Sequence, residues 1–255
     1  MHSDPLALRI LGEDPDAIAR AARAHPKRRD LRLFVAARQR FAEETLAGSF
    51  ERGVRQLVVL GAGLDTFAYR NPHAELSVFE VDHPATQGWK RERLAQADIA
   101  IPPSLRFAPV DFERQTLAQG LSAAGFDASV PTFFTWLGVV VYLSNEATWS
   151  TLRFIASVPA GSHVVFDYSN PPASLQATDA ASLAEAAARM AASGEPWINY
   201  LDTGLLLQRL RTFGYDVFDD LGASQIVARY LSGRTPPASD VGPHFLHAAQ
   251  RRPPQ

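Results

Sequence analysis

The sequence predicts an α/β protein of the doubly wound, Rossmann-like kind, and three observations carry that prediction. Short apolar runs of strand length alternate with stretches of helical periodicity, the pattern of a mostly parallel sheet covered by helices on both faces. The first run, Gln56-Leu-Val-Val-Leu60, leads straight into Gly61-Ala-Gly63. Finally, 255 residues with 46% hydrophobic and 20% charged side chains can bury one sizeable core, so the chain is expected to be a single domain over 1–255 and whole-chain disorder is excluded.

Before the first strand, Asp14 to Phe50 is rich in Ala and Arg. A short helix is expected at Asp16–His25, ended by Pro26. A second follows, with Leu31, Phe34, Val35, Arg38, Phe41, Ala42 and Thr45 along one face. Residues 14–52 are expected to form a helical lid. Further strands are expected at Leu76–Glu80, Leu105–Val110, Pro131–Trp136 and His163–Tyr168. Helices are expected between them at Pro84–Ala97, Thr116–Ala124 and Asn145–Ser157, with Asn145 as the cap of the last. After Tyr168 come helix-prone stretches at Ser174–Ser193 and Thr203–Thr212, and candidate strands at Tyr215–Phe218 and His244–Ala249. Pro171-Pro172, Pro236-Pro237 and Pro253-Pro254 mark loops. Ligands of such sheets bind beyond the carboxyl ends of the strands, which places a site at the loops after Leu60, Phe79, Val110 and Trp136.

Charge and composition narrow the partner. With 25 Lys and Arg against 27 Asp and Glu the formal charge is −2, so neither nucleic acid nor an anionic membrane is the expected partner. The absence of cysteine removes disulfides, thiolate metal sites and cysteine nucleophiles, and no metal is expected. No apolar run approaches the roughly 20 residues that span a bilayer. Met1 to Ile10 carries His2 and Asp4 without an apolar core, unlike a secretory leader, so a cytoplasmic protein is expected.

The glycine turn lets a ligand approach the main chain closely. Thr66 stands where a dinucleotide fingerprint would have its third glycine, which disfavours pyrophosphate and a nicotinamide-dependent oxidoreductase. A cofactor without a diphosphate, such as S-adenosylmethionine, remains suited to it. Glu80 and Asp82 end the second strand and alternate onto one face, where a carboxylate can accept ribose hydroxyls, although Asp82 also suits a helix cap. Asp65 or Thr66 can cap the helix after the turn. Asp111-Phe112 after the third strand can bond and stack against adenine.

These residues resemble a known family. Val58-Val-Leu-Gly-Ala-Gly-Leu-Asp-Thr66, Tyr69-Arg70, Val78-Phe-Glu-Val-Asp-His-Pro84, Lys90, Asp111, Gly125-Phe-Asp127, Pro131-Thr132, Gly138-Val139, Tyr142-Leu143 and Phe166-Asp-Tyr168 are similar to the leucine carboxyl methyltransferase family. Its bacterial branch of small-molecule carboxyl O-methyltransferases is included, with members that modify polyketides. The similarity runs from about Arg38 to Tyr168, with echoes in Glu195-Pro-Trp197 and Arg229-Tyr230-Leu231. The resemblance implies a class I methyltransferase with a seven-stranded sheet that uses S-adenosyl-L-methionine. It implies that Arg38 pairs with the cofactor carboxylate, that Gly61 and Gly63 line the methionine part, that Asp82 with Glu80 holds the ribose, and that Asp111 and Phe112 frame the adenine. Ala62, Asp65, Val81, Trp136 and Leu137 complete the implied cofactor set. Arg40 is an equally basic neighbour of Arg38.

Two departures stand out. Leu137, in Thr135-Trp-Leu-Gly-Val139, occupies the place of a family Glu, and Phe67 replaces a common Arg. Methyl transfer from a sulfonium depends chiefly on alignment. A carboxylate acceptor, with a pKa near 4, is already ionised and needs no base. A hydroxyl or amine acceptor would need one, with His83 and Tyr168 as candidates. The insert at 170–202 is expected to build the acceptor pocket, with Tyr142, Tyr168, Trp197 and Tyr200 as walls and Arg189 and Arg211 attracting an acid. The expected activity is thus methylation of a small, secondary-metabolite-like acid by a monomer or homodimer. A non-catalytic S-adenosylmethionine- or metabolite-binding relative, to which Leu137 points, is the alternative.

Overall fold

The structure, a computed structural model, describes residues 4–25, 29–111, 114–158, 161–174, 177–192, 194, 196–237 and 239–250. Seven strands are present among them: β1 (Gln56–Leu60), β2 (Ser77–Asp82), β3 (Leu105–Pro109), β4 (Thr132–Trp136), β5 (Ser162–Ser169), β6 (Val217–Leu221) and β7 (Pro243–Ala249). They form one sheet in the order β3-β2-β1-β4-β5-β7-β6, parallel from β1 through β3, with β7 antiparallel to both β5 and β6. The mixed, helix-covered sheet is the class that the alternating sequence pattern predicts. The chain divides into two compact units, Met1–Phe133 and Phe134–Gln255, with the boundary inside β4. Among the described residues no helix is long and apolar enough to cross a membrane.

In the first unit, β1 is buried at every position, as a continuous apolar run between two neighbours should be. Its register sets Val58 beside Phe79 and Leu60 beside Val81. Helix α1 (Ala7–Leu11), unforeseen in the sequence, is opened by the Asp4 carboxylate accepting from the Leu6 and Ala7 amides. Its Ile10 packs with Leu94 and Ile99, and Arg9 donates to the carbonyls of Ala97 and Asp98. Helix α2 (Pro15–Ala24), capped by Asp14, buries no residue. In α3 (Arg29–Glu51) only part of the expected apolar stripe is covered. Leu31 and Val35 are 52% and 43% exposed, whereas Phe41 and Ala42, with Ala37 and Leu46, are buried. Two short or ordinary helices follow β1 and β2, namely α4 (Phe67–Arg70), also unforeseen, and α5 (Pro84–Gln96). Helix α6 (Leu117–Ala123) opens with a capping box between Thr116 and Gln119. Its Gly120 lies so close to β3's continuation that a Cβ would meet Val110 Cγ2 at 2.3 Å.

In the second unit, α7 (Asn145–Ala156) is capped by Ser144, whose hydroxyl accepts from the Ala147 amide, and not by Asn145. Helices α8 (Ala177–Ala192), α9 (Thr203–Thr212) and α10 (Ala223–Tyr230) follow. The sixth strand lies two residues beyond the expected start. Tyr215 is buried ahead of it, and β6 continues through Asp219 and Asp220. On this edge strand Asp219 stays exposed while Asp220, on the other face, turns toward Tyr168 and His244. Helix α10 was missed because only Ile226 of its eight residues is buried.

Candidate functional site

The glycine turn in the first unit is fixed by the end of β2. The Gly61 and Ala62 amides both donate to the Val81 carbonyl, at 2.9 and 3.1 Å. Gly61 and Gly63 have φ of +65° and +43°, the left-handed region that side chains disfavour. In front of Gly63 the space is open: an added Cβ would find only the Gly61 carbonyl oxygen within 4 Å, at 3.9 Å. The Gly63 amide donates to Asp82 Oδ2 at 2.7 Å, and the His83 amide donates to Asp82 Oδ1 at 2.7 Å. Asp82 is half-buried, and each of its oxygens keeps a further lone pair.

Glu80 shares that strand face but has different surroundings. Glu80 and Lys90 are each 1% exposed, with Oε2 and Nζ 2.8 Å apart. Tyr69 donates to Glu80 Oε2 at 3.3 Å, and the Lys90 ammonium also donates to the Asp65 carbonyl at 2.7 Å. Lys90 therefore ties the enclosed carboxylate to the glycine turn. Glu80 Oε1 is buried and lacks a hydrogen-bond partner among the described residues. Burial pushes the Glu80 carboxyl up to about 7, against the pull of Lys90, and burial together with Glu80 raises the Tyr69 phenol above its ordinary value.

The remaining predicted groups of this unit occupy varied settings. Asp65 accepts from the Phe67 amide at 2.8 Å and from Gln39 Nε2 of α3 at 3.1 Å, while Thr66, at the N-cap position of α4, makes no side-chain capping bond. Thr66 instead bonds Asp4 and Arg70, and Arg70 pairs with Glu43. Arg38 is half-buried on α3, while Arg40 is engaged by Glu44 at 2.7 Å. Ala62 and Val81 are buried. Asp111 is half-buried, 3.4 Å from Arg114; Phe112 lies outside the described residues. His83, and not Asp82, caps α5: its Nδ1 accepts from the Ala85 amide at 3.2 Å.

In the second unit, Trp136 is buried at the end of β4 and Leu137 is half-buried beside it. The next amide, Gly138, donates to Asp167 Oδ1 of β5 at 2.6 Å, so a carboxylate still reaches the turn that Leu137 leaves without one. A polar network gathers at the carboxyl ends of β5 and β6. The Tyr168 hydroxyl donates to Asp220 at 3.0 Å and lies 2.9 Å from Thr203 Oγ1. His244 sets Nδ1 3.1 Å from Asp220 and Nε2 2.9 Å from Asn170 Oδ1. The Asn170 amide is oriented by donation to the Leu201 carbonyl at 3.1 Å and by the Gly242 amide on its oxygen at 3.0 Å. Both ring nitrogens of His244 thus lie within hydrogen-bond distance of side-chain oxygens. Burial and the Asp220 charge raise the Tyr168 phenol well above its ordinary value. Tyr142, Trp197 and Tyr200 are each half-buried. Sequence reasoning missed Asp220, His244, Asn170 and Thr203 as a group, because nothing local links residues so far apart in the chain.

An acid at the end of β2, an open glycine turn held against it, and an acid after β3 form a donor and acceptor set suited to a nucleoside. The comparisons agree with that chemistry. The sequence pattern of the leucine carboxyl methyltransferase family matches residues 2–156. YktD of Bacillus subtilis (strain 168), assigned as an S-adenosyl-L-methionine-dependent methyltransferase, is 36% identical over 220 residues, covering 84% of this chain and 72% of its own length. The chain spans about half the length of mycobacterial relatives that it also matches. Among solved structures, a DUF574 family protein from Streptomyces avermitilis MA-4680 has a TM-score of 0.54 at 18% identity, over 84% of this chain and 83% of that one. Magnesium protoporphyrin IX methyltransferase (ChlM) from Synechocystis PCC 6803, solved with bound SAH, has a TM-score of 0.50 at 12% identity, over 84% of each chain. Those two likenesses concern the fold. With its family pattern, its relatives and its sheet in agreement, the chain belongs to the leucine carboxyl methyltransferase family, and so to the S-adenosylmethionine-dependent methyltransferases.

Proposed function

We propose that the chain methylates a carboxylate oxygen of a small acid. The observation that carries this reading is the state of the two side chains that could serve another acceptor as a base. The Nδ1 lone pair of His83 is occupied by the Ala85 amide at the start of α5. Tyr168 is 2% exposed, hydrogen-bonded to Asp220 and Thr203, and held further from ionisation than a free phenol. Neither is placed to take a proton from a hydroxyl or an amine. A carboxylate, ionised at neutral pH, requires neither.

The residues of the first unit fit the cofactor. The open front of Gly63 permits close approach of the methionine part to the main chain, alongside Gly61 and Ala62. The unused lone pairs of Asp82 can accept the ribose hydroxyls, with its carboxylate already aimed by the Gly63 and His83 amides. Arg38 is assigned to the cofactor carboxylate and Asp111 to the adenine. Glu80 supports the turn through Lys90 and is not assigned to the ribose directly. When bound, the cofactor supplies an electrophilic methyl group, so that the acceptor oxygen forms the O–C bond while the S–C pair returns to sulfur, giving a methyl ester and S-adenosylhomocysteine with no proton moved. The acceptor is read as a small acid in the cytoplasm.

The test is transfer of labelled methyl from S-adenosylmethionine to aliphatic and aromatic acids, with phenols and amines in parallel. Mild base should release the label as methanol, because esters hydrolyse and ethers and amines do not. Label that survives base would overturn the carboxylate assignment.

A further inference from the structure

The segment 196–202 of the second unit is laced across the carboxyl ends of β4 and β5. The Ile198 and Asn199 amides donate to the Val141 carbonyl, in the turn after β4, at 2.8 and 3.1 Å. Asn199 Nδ2 donates to Thr148 Oγ1 of α7 at 2.9 Å, and the Leu201 amide donates to the Ser169 carbonyl of β5 at 2.9 Å. This loop is held at several points, yet two of its polar side-chain atoms are buried without a hydrogen-bond partner among the described residues. One is a donor, Trp197 Nε1, and the other an acceptor, Asn199 Oδ1. Folded proteins leave few such groups, since each forfeits its bonds to water, and one that persists calls for an explanation.

We propose that the Trp197 indole N–H is the hydrogen-bond donor that selects the acceptor's carboxylate by holding its non-reacting oxygen. This inference rests on the carboxylate reading above and gives that acceptor a specific partner. A neutral donor suits the task. An Arg or Lys in its place would neutralise the carboxylate and weaken it as a nucleophile, whereas an indole N–H orients one oxygen and leaves the charge available on the other. The N–H is sealed from solvent in this structure. The acid therefore reaches it only once the atoms that cover it move aside.

The chain has 4 tryptophans, so its indole N–H signals can be resolved and that of Trp197 identified by its loss in W197F. Protein saturated with S-adenosylhomocysteine is titrated with sodium benzoate and sodium hexanoate, and with benzamide and hexanamide as uncharged controls. The Trp197 indole proton should move downfield with the acids and much less with the amides. Replacing Trp197 by benzothienylalanine, which exchanges the N–H for sulfur at nearly constant shape, should weaken binding of the acids about tenfold or more, the usual loss for a bond to a charged group. The same variant should bind S-adenosylhomocysteine as the parent does and keep its thermal midpoint, because removing an unsatisfied donor sacrifices no internal bond. A merely structural indole would show the reverse pattern. A base-labile ester together with an unresponsive indole signal would overturn the role of Trp197 alone. A base-stable product together with an acid-responsive indole would overturn the carboxyl reading alone.

Discussion

The two units bury charge in different ways. In the first, Glu80, Lys90, Tyr69 and the Asp65 carbonyl come from one short stretch of chain, and a single ion pair between side chains that are each 1% exposed carries the load. In the second, Tyr168, Asn170, Thr203, Asp220 and His244 are gathered from three strands and the start of a helix, and the charge is spread over a chain of hydrogen bonds. The first arrangement concentrates its dependence on one partner. The second shares it, so that losing one member leaves others in place.

That contrast sets the order of expected effects. Lys90→Met should be the most damaging, because it strands a buried carboxylate. A loss of about 3–5 kcal/mol in urea unfolding is expected, against a smaller loss for Glu80→Gln/Lys90→Met, which removes both charges. Equal losses in the two would show that the pair is not coupled. The same carboxyl predicts a pH signature. Its folded pKa is about 7 against an ordinary 4.5, so its contribution is fully present below 4.5 and is lost as pH rises through 7. Glu80→Gln should flatten that part of the stability profile between those limits, and an unchanged slope would remove Glu80 as its source.

In the second unit, Asp220→Asn keeps the shape but sets an amide in place of the carboxylate that accepts from the Tyr168 hydroxyl. A milder loss of about 1–3 kcal/mol is expected by the same unfolding measurement. A loss as large as that of Lys90→Met would erase the contrast between the units. Asp82→Ala acts on binding: calorimetric titration should show S-adenosylmethionine weakened by about 1–3 kcal/mol, and unchanged affinity would refute the ribose assignment. The smallest effect is expected for His83→Ala. Loss of the helix cap should cost about 0.5–1 kcal/mol, with methyl transfer unchanged within about twofold; a hundredfold drop, the scale of general-base catalysis, would restore His83 as a base.

The same contrast explains what could be read in advance. β1, the glycine turn and Asp82 were legible because their signals lie within a few neighbouring residues: a β-branched run, two glycines at left-handed positions, and an acid where the next strand ends. Glu80 and Asp82 look alike in sequence, two acids alternating on one strand face. Only the arrival of Lys90 and Tyr69 distinguishes the enclosed acid from the open one. Likewise Leu31 and Val35 share a helical stripe with Phe41, yet no periodicity reveals that the stripe is covered only toward its far end.

From the sequence alone followed the class of fold, the position of the glycine turn and the family, all consequences of spacing and turn chemistry that act over a few residues. The tertiary structure alone decided which carboxylate is shut in with a lysine, that His83 caps a helix, and that His244 meets Asp220 and Asn170. Burial, and with it the state of a charge, depends on neighbours that the chain brings from elsewhere, and short-range pattern carries no record of them.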